Sequence, residues 1–245
     1  MGTDQRAWMR TWGNIAWWIV TIHSVPFAIY TVPFIYGKFE IYRYLTVRAS
    51  LGDLESAGLH VLNNLRTWQI HAAAALAFVT IGPLQFNPSF RNKFPVAHKR
   101  LGYAFAACTV ITAVTGGTSM LKATELGPIA VAMTPFMSIS TLTALAISIN
   151  AARNKDFGRH RRWMLRSAAI GYSVMYTRTL PVLFAWTSIP PEQAIDYSFP
   201  LSVALNCGFA ELYIQIYLSE VRTKVKSMHG SGDSALADSS KKKKV

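Results

Sequence analysis

The sequence predicts an all-α, polytopic membrane protein, a bundle of about six transmembrane helices. Three observations lead there. Of 245 residues, 51% are hydrophobic and only 15% are charged, against roughly 25% charged in soluble domains. The apolar residues gather into six runs, each near the roughly 20 residues that cross a bilayer as a helix. The basic residues collect at alternate ends of those runs and in the tail.

The runs cover residues 14–36, 67–87, 101–121, 128–150, 163–187 and 199–221. The first is too long and too aromatic for a signal-peptide core and lacks a small-residue cleavage site, so it is expected to be a retained helix. Pro26 and Pro33 kink it, as Pro135 kinks the fourth run and Pro181 the fifth. Neighbouring helices can satisfy the carbonyls that these prolines free. Trp12, Trp17, Trp18, Trp68, Trp163 and Trp186 stand at or near run ends, where an aromatic belt meets the headgroups. Leu51, Leu54, Leu59, Leu62 and Leu65 recur at roughly helical spacing in the first loop, which predicts a short interfacial helix there. The layout is a cytosolic N-terminus over 1–13, a six-helix domain over 14–222, and a disordered basic tail over 223–245.

Charge sets the expected orientation. Arg91, Lys93, Lys99 and Arg100 fill the second-to-third loop, and Arg153, Lys155, Arg159, Arg161 and Arg162 fill the fourth-to-fifth. The intervening loops are poor in base. The positive-inside bias then places both termini in the cytosol. The same bias explains the net charge of +13; no basic amphipathic face offers itself to nucleic acid, and membrane lipids are the expected partners. The chain ends Lys-Lys-Lys-Lys-Val, and Lys242 and Lys243 fall where a dilysine retrieval signal places its lysines. This resembles the tail that keeps eukaryotic membrane proteins in the endoplasmic reticulum, so that membrane is the expected location. The alternative is a plain polybasic tail on anionic lipid.

Cys108 and Cys207 both lie inside apolar runs, so neither a disulfide framework nor a cysteine metal site follows, and no metal is expected. Asp-rich diphosphate motifs, Gly-rich phosphate loops, nucleophile elbows and His-Glu-x-x-His are all missing from the sequence. Gly116-Gly117 is read as a close helix contact.

Three polar residues stand out within the runs. Arg178 lies deep in the fifth, where a bare guanidinium costs about 3 kcal/mol. Helical rotation puts it on one face with His160, Met164, Ser167, Gly171 and Met175. Glu211 is the one carboxylate well inside any run and is the expected counter-ion for Arg178. His71 completes a candidate catalytic set: His71 as acid/base, Glu211 as its complement, Arg178 holding an anion or polarising a carbonyl. The alternative is a charge pair that fixes helix register. At the cytosolic ends, His98, Arg100, His160, Arg162 and Arg166 form a candidate substrate or headgroup site, with plain lipid contact as the alternative. His98 and His160 also stand at matching depth, three residues before their runs. A single b-type haem takes one axial nitrogen from each of two facing helices, so these two are the candidate ligands; no other cofactor is expected.

Three motifs carry a resemblance. His71 with Gly82-Pro83-Leu84-Gln85-Phe86, then His98-Lys99-Arg100-Leu101-Gly102-Tyr103, then His160-Arg161-Arg162-Trp163-Met164-Leu165-Arg166-Ser167 together resemble an uncharacterised multi-pass family of bacteria and fungi, domain of unknown function 2306. The resemblance covers about residues 67–180. Where the family pattern has a glycine four residues after the first histidine, this chain has Ala75. The resemblance implies a membrane bundle with motif histidines and arginines. Fungal members look like accessories of secondary-metabolite pathways, which implies a lipophilic intermediate as the ligand. The expected function is therefore a membrane-embedded enzyme or binding protein for such a molecule. The alternatives are single-haem electron transfer and a transporter or scaffold without chemistry. Whether the chain is an enzyme stays open.

Overall fold

The computed structural model describes residues 3–38, 63–121, 127–184 and 186–215. They form seven helices and no strand: α1 Thr3–Ile35, α2 Leu65–Phe86, α3 Pro88–Lys93, α4 Pro95–Met120, α5 Pro128–Arg153, α6 Phe157–Phe184 and α7 Pro191–Tyr213. The leucine-spaced loop and the lysine tail lie outside the described residues, apart from Leu65, which opens α2.

Six of the helices are long, and the protein is an all-α membrane bundle. Trp17–Ile35 of α1 and the whole of α2, α4 and α5 are long and apolar enough to cross a bilayer. Helices α6 and α7 are as long, at 28 and 23 residues, but more polar. Arg166 and Arg178 dilute the apolar character of α6, and Glu192, Gln193 and Asp196 that of α7.

Neighbouring long helices run antiparallel. The Trp17 indole donates to Pro83 O near one end of the α1–α2 pair, and the Gln69 amide donates to Ile35 O near the other. The Ser148 side chain meets His160 between α5 and α6. Asn206 donates to Ser173 between α6 and α7. With six long helices alternating, both ends of the described chain emerge on one face. That face carries Arg91, Lys93, Lys99, Arg100, Arg153, Lys155, Arg159, Arg161 and Arg162; we call it the basic face.

The core sits where α2, α4 and α6 meet. Phe78 stacks on Phe105 at 4.6 Å between ring centroids and tilts against Tyr172 at 5.0 Å. Small residues set these distances. A Cβ added at Gly171 would stand 2.7 Å from the Phe78 ring, so the ring occupies the space that glycine leaves. Gly116 faces the His71 ring on α2 while Gly117 faces Ser138 and Pro135 on α5, so the two glycines let α4 approach two neighbours at once. Ser148, Ser167, Ser173, Ser198 and Ser202 are fully buried. Their hydroxyls bond backbone carbonyls, which satisfies them without adding bulk.

Three boundaries differ from the sequence expectation. The first helix is continuous from Thr3 and so begins eleven residues before the apolar run at 14. The short α3 was not expected; Pro88 opens it and the Asn87 carboxamide caps the Phe90 amide at 3.1 Å. Helix α7 starts at Pro191, eight residues before the apolar run at 199. Asp196, which lies between the fifth and sixth apolar runs, is therefore helical and only 7% exposed. Its carboxylate accepts from Ala130 N at 2.8 Å and Ile129 N at 3.4 Å. It thus caps α5 from another helix, with the charge sign that a helix N-terminus favours. Gly127 lacks the Cβ that would collide with this carboxylate.

Candidate functional site

The earlier start of α7 moves Glu211 and changes its partner. Glu211 is twenty residues into that helix, about 30 Å along its axis, and so on the basic side of mid-depth. The Arg166 guanidinium meets it there. Arg166 Nε donates to Glu211 Oε1 at 2.5 Å and Nη2 to Oε2 at 3.0 Å, a two-pronged clasp of the kind that gives strong charge-assisted bonds. The expected Arg178–Glu211 pair is not formed. Ser198–Thr177 and Asn206–Ser173 contacts fix the antiparallel register, which puts Arg178 level with about Phe199. Glu211 lies twelve residues further on, about 18 Å away.

Arg178 itself is exposed and makes no ion pair among the described residues. The expectation that it points inward fails. Its face of α6 does bury Ser167 and Met175, but Arg178 is six residues from the end at Phe184, about 9 Å. A long cationic side chain that close to a helix end can reach the headgroup region. Its charge acts on His71, which shares that level. The His71 Nδ1 is 2.9 Å from the Thr115 hydroxyl, and its ring meets Trp68 edge-on at 5.3 Å. His71 and Arg178 thus lie at one level near the face opposite the basic one, while Glu211 is remote from both.

The basic-face residues also separate. His160 is built in firmly. Ser148 donates to His160 O at 3.0 Å, and His160 Nδ1 lies 2.9 Å from the Ser148 hydroxyl and 3.0 Å from its carbonyl. With the hydroxyl already donating elsewhere, Nδ1 carries the hydrogen and Nε2 keeps its lone pair. That is the anchoring a metal-ligating histidine requires. His98 lacks it: its Nδ1 is buried without a hydrogen-bond partner among the described residues. The two histidines are electrostatic neighbours, but only one is prepared as a haem ligand. No cluster of three metal-binding side chains occurs among the described residues. Arg100 is exposed and Arg162 half-buried, and neither forms an ion pair among the described residues.

Arg166 and Glu211 instead sit in a groove of about 360 Å³ between α5, α6 and α7. Ile139, Ser140 and Thr143 form one wall, Trp163 and Ile170 another, and Cys207 and Ala210 the third. The Arg166 guanidinium lies 4.8 Å from the centre of the Trp163 ring, within cation–π range. Ile139 is 66% exposed, so the groove opens sideways onto the apolar outer surface. Apart from the ion pair and two hydroxyl side chains, its lining is apolar or aromatic. Such a site can hold an apolar body and orient one polar group.

The sequence reading included Arg166 and Glu211 but not Trp163, Ile139, Ile170 or Cys207 as site residues. A signal for part of this existed. Trp163 and Arg166 are three apart and Cys207 and Glu211 four apart, spacings that put each pair on one helix face.

The predicted membrane protein family DUF2306 matches residues 68–214. The chain belongs to that family. The DUF2306 match reaches past residue 180, where the resemblance read from the motifs ends, and so takes in all of α7 with Cys207 and Glu211. Every residue lining the groove falls within it. No curated protein and no solved structure matches the chain.

Proposed function

We propose that this DUF2306 chain is a membrane-embedded protein that binds, and as an enzyme would act on, a lipophilic small molecule in the α5–α6–α7 groove. One observation carries the reading: a single guanidinium–carboxylate pair lines a mostly apolar groove that opens toward lipid. An apolar molecule enters from the bilayer, and Arg166 meets its polar group. The motif resemblance to fungal accessories of secondary-metabolite pathways favours an intermediate of that kind. The terminal lysines and the alternating basic loops favour the endoplasmic reticulum membrane with both termini cytosolic.

Mass spectrometry of solvent extracts from the purified protein tests the binding. Wild-type protein should carry a lipophile. The double variant Arg166→Met with Glu211→Leu should lose it while keeping its melting temperature. Equal recovery from both would overturn the reading. A single-haem protein is the second reading, favoured only by the anchored ring of His160.

A further inference from the structure

We infer that the groove selects a lipophile with an uncharged, hydrogen-bond-accepting head group (an alcohol, ketone, ester or ether oxygen) over a carboxylate or phosphate. The inference rests on the groove reading above and narrows its ligand class. Its basis is the charge state of the Arg166–Glu211 pair. An unpaired arginine in an apolar groove would draw an anion. Here Glu211 occupies Nε and one Nη2 hydrogen of Arg166 in a two-pronged clasp, so the pair is neutral as a unit. An incoming carboxylate would have to displace Glu211 or share the guanidinium with it, and two carboxylates at one site repel.

Donors remain for a neutral oxygen. Arg166 Nη1 has no partner among the described residues, and Nη2 keeps a second hydrogen. The Ser140 hydroxyl also lines the groove. The pair is open to a ligand, with 27% of the Arg166 side chain and 42% of the Glu211 side chain exposed. Ile170 lies one helical turn deeper than Arg166, and Cys207 one turn deeper than Glu211, so the apolar body extends away from the basic face while the head stays near it. The geometry matches a molecule lying with its polar end toward the headgroups.

The test is a matched pair of photoactivatable probes of equal chain length, a fatty alcohol and the corresponding fatty acid. Each carries a diazirine on the chain and is presented to the whole protein in lipid nanodiscs at pH 7.5. Labelling of Ile139, Ile170 and Cys207 is mapped by mass spectrometry. It is normalised to labelling at Ile22 and Ile29, which are exposed on α1. The alcohol should label the groove at least fivefold more than the acid. Glu211→Gln frees the charge of Arg166 and should reverse that order. Parity, or preference for the acid, in the wild-type protein would overturn the neutral-head inference while leaving the groove as a binding site. Labelling by neither probe above the α1 reference would overturn both.

Discussion

Arg166 and Glu211 join α6 to α7 through two parallel hydrogen bonds, Nε to Oε1 and Nη2 to Oε2. This pairing, rather than one with Arg178, sets where the polar site lies. It also makes a quantitative expectation. Both groups are partly exposed, so the coupling is modest, about 1 kcal/mol after discounting for screening. In a double-mutant cycle by thermal melting in detergent, Arg166→Met combined with Glu211→Leu should cost less than the sum of the single changes. Arg178→Met combined with Glu211→Leu should simply add, because the two sites are about 18 Å apart along the helix pair. Additivity in the first cycle and coupling in the second would reverse the assignment.

Asp196 caps α5 from α7, which ties two helix ends to one carboxylate. Asp196→Ala leaves those amides without their partner and should cost about 1–3 kcal/mol. Asp196→Asn retains an acceptor oxygen and should cost less. Gly127→Ala should be destabilising as well, because its methyl would meet the Asp196 carboxylate. Melting temperatures of the three variants check this; a stable Gly127→Ala protein would contradict the packing.

The Ser148 hydroxyl is completely buried and bonds His160. Ser148→Ala should destabilise by about 1–2 kcal/mol, since it removes the donor to the His160 carbonyl and one of the two acceptors of its ring N–H. Ser148→Gly adds a helix-propensity penalty of roughly 1 kcal/mol. Little change in either variant would show that His160 is held by something other than this contact.

The haem reading has a spectroscopic answer. His160 is anchored and His98 is not, so purified protein should show no Soret band even after growth with added haem precursor. A Soret band lost in both His98→Ala and His160→Ala would establish bis-histidine ligation and displace the present account.

Much of the fold was legible because hydrocarbon imposes simple rules on a sequence. The apolar runs located the long helices, and Gly116-Gly117 located a close contact. The site was legible only in part, for a physical reason. Hydropathy marks where a helix becomes apolar, not where it begins. Helix α7 begins on polar residues, Pro191-Glu192-Gln193, so the apolar run starts eight residues late and every depth reckoned from it shifts. Proline at the first helical position followed by an acid is a known start signal, and Pro190-Pro191-Glu192 shows it. Arg178 was misplaced by a different simplification. The cost of burying a guanidinium argues for an interior partner only when the side chain cannot reach a polar boundary, and six residues from a helix end it can. Pairing across helices depends on register, which composition does not encode.

Access to Cys207 gives the most direct test of the groove as a ligand site. In a Cys108→Ala background, Cys207 is the remaining thiol, and it lines the groove one turn from Glu211. The measurement is its rate of modification by an N-alkyl maleimide in nanodiscs, with and without a saturating long-chain alcohol. The account predicts that the alcohol slows the reaction at least fivefold, and that the protection vanishes in the Arg166→Met, Glu211→Leu protein. An unchanged rate in the presence of the alcohol would contradict it.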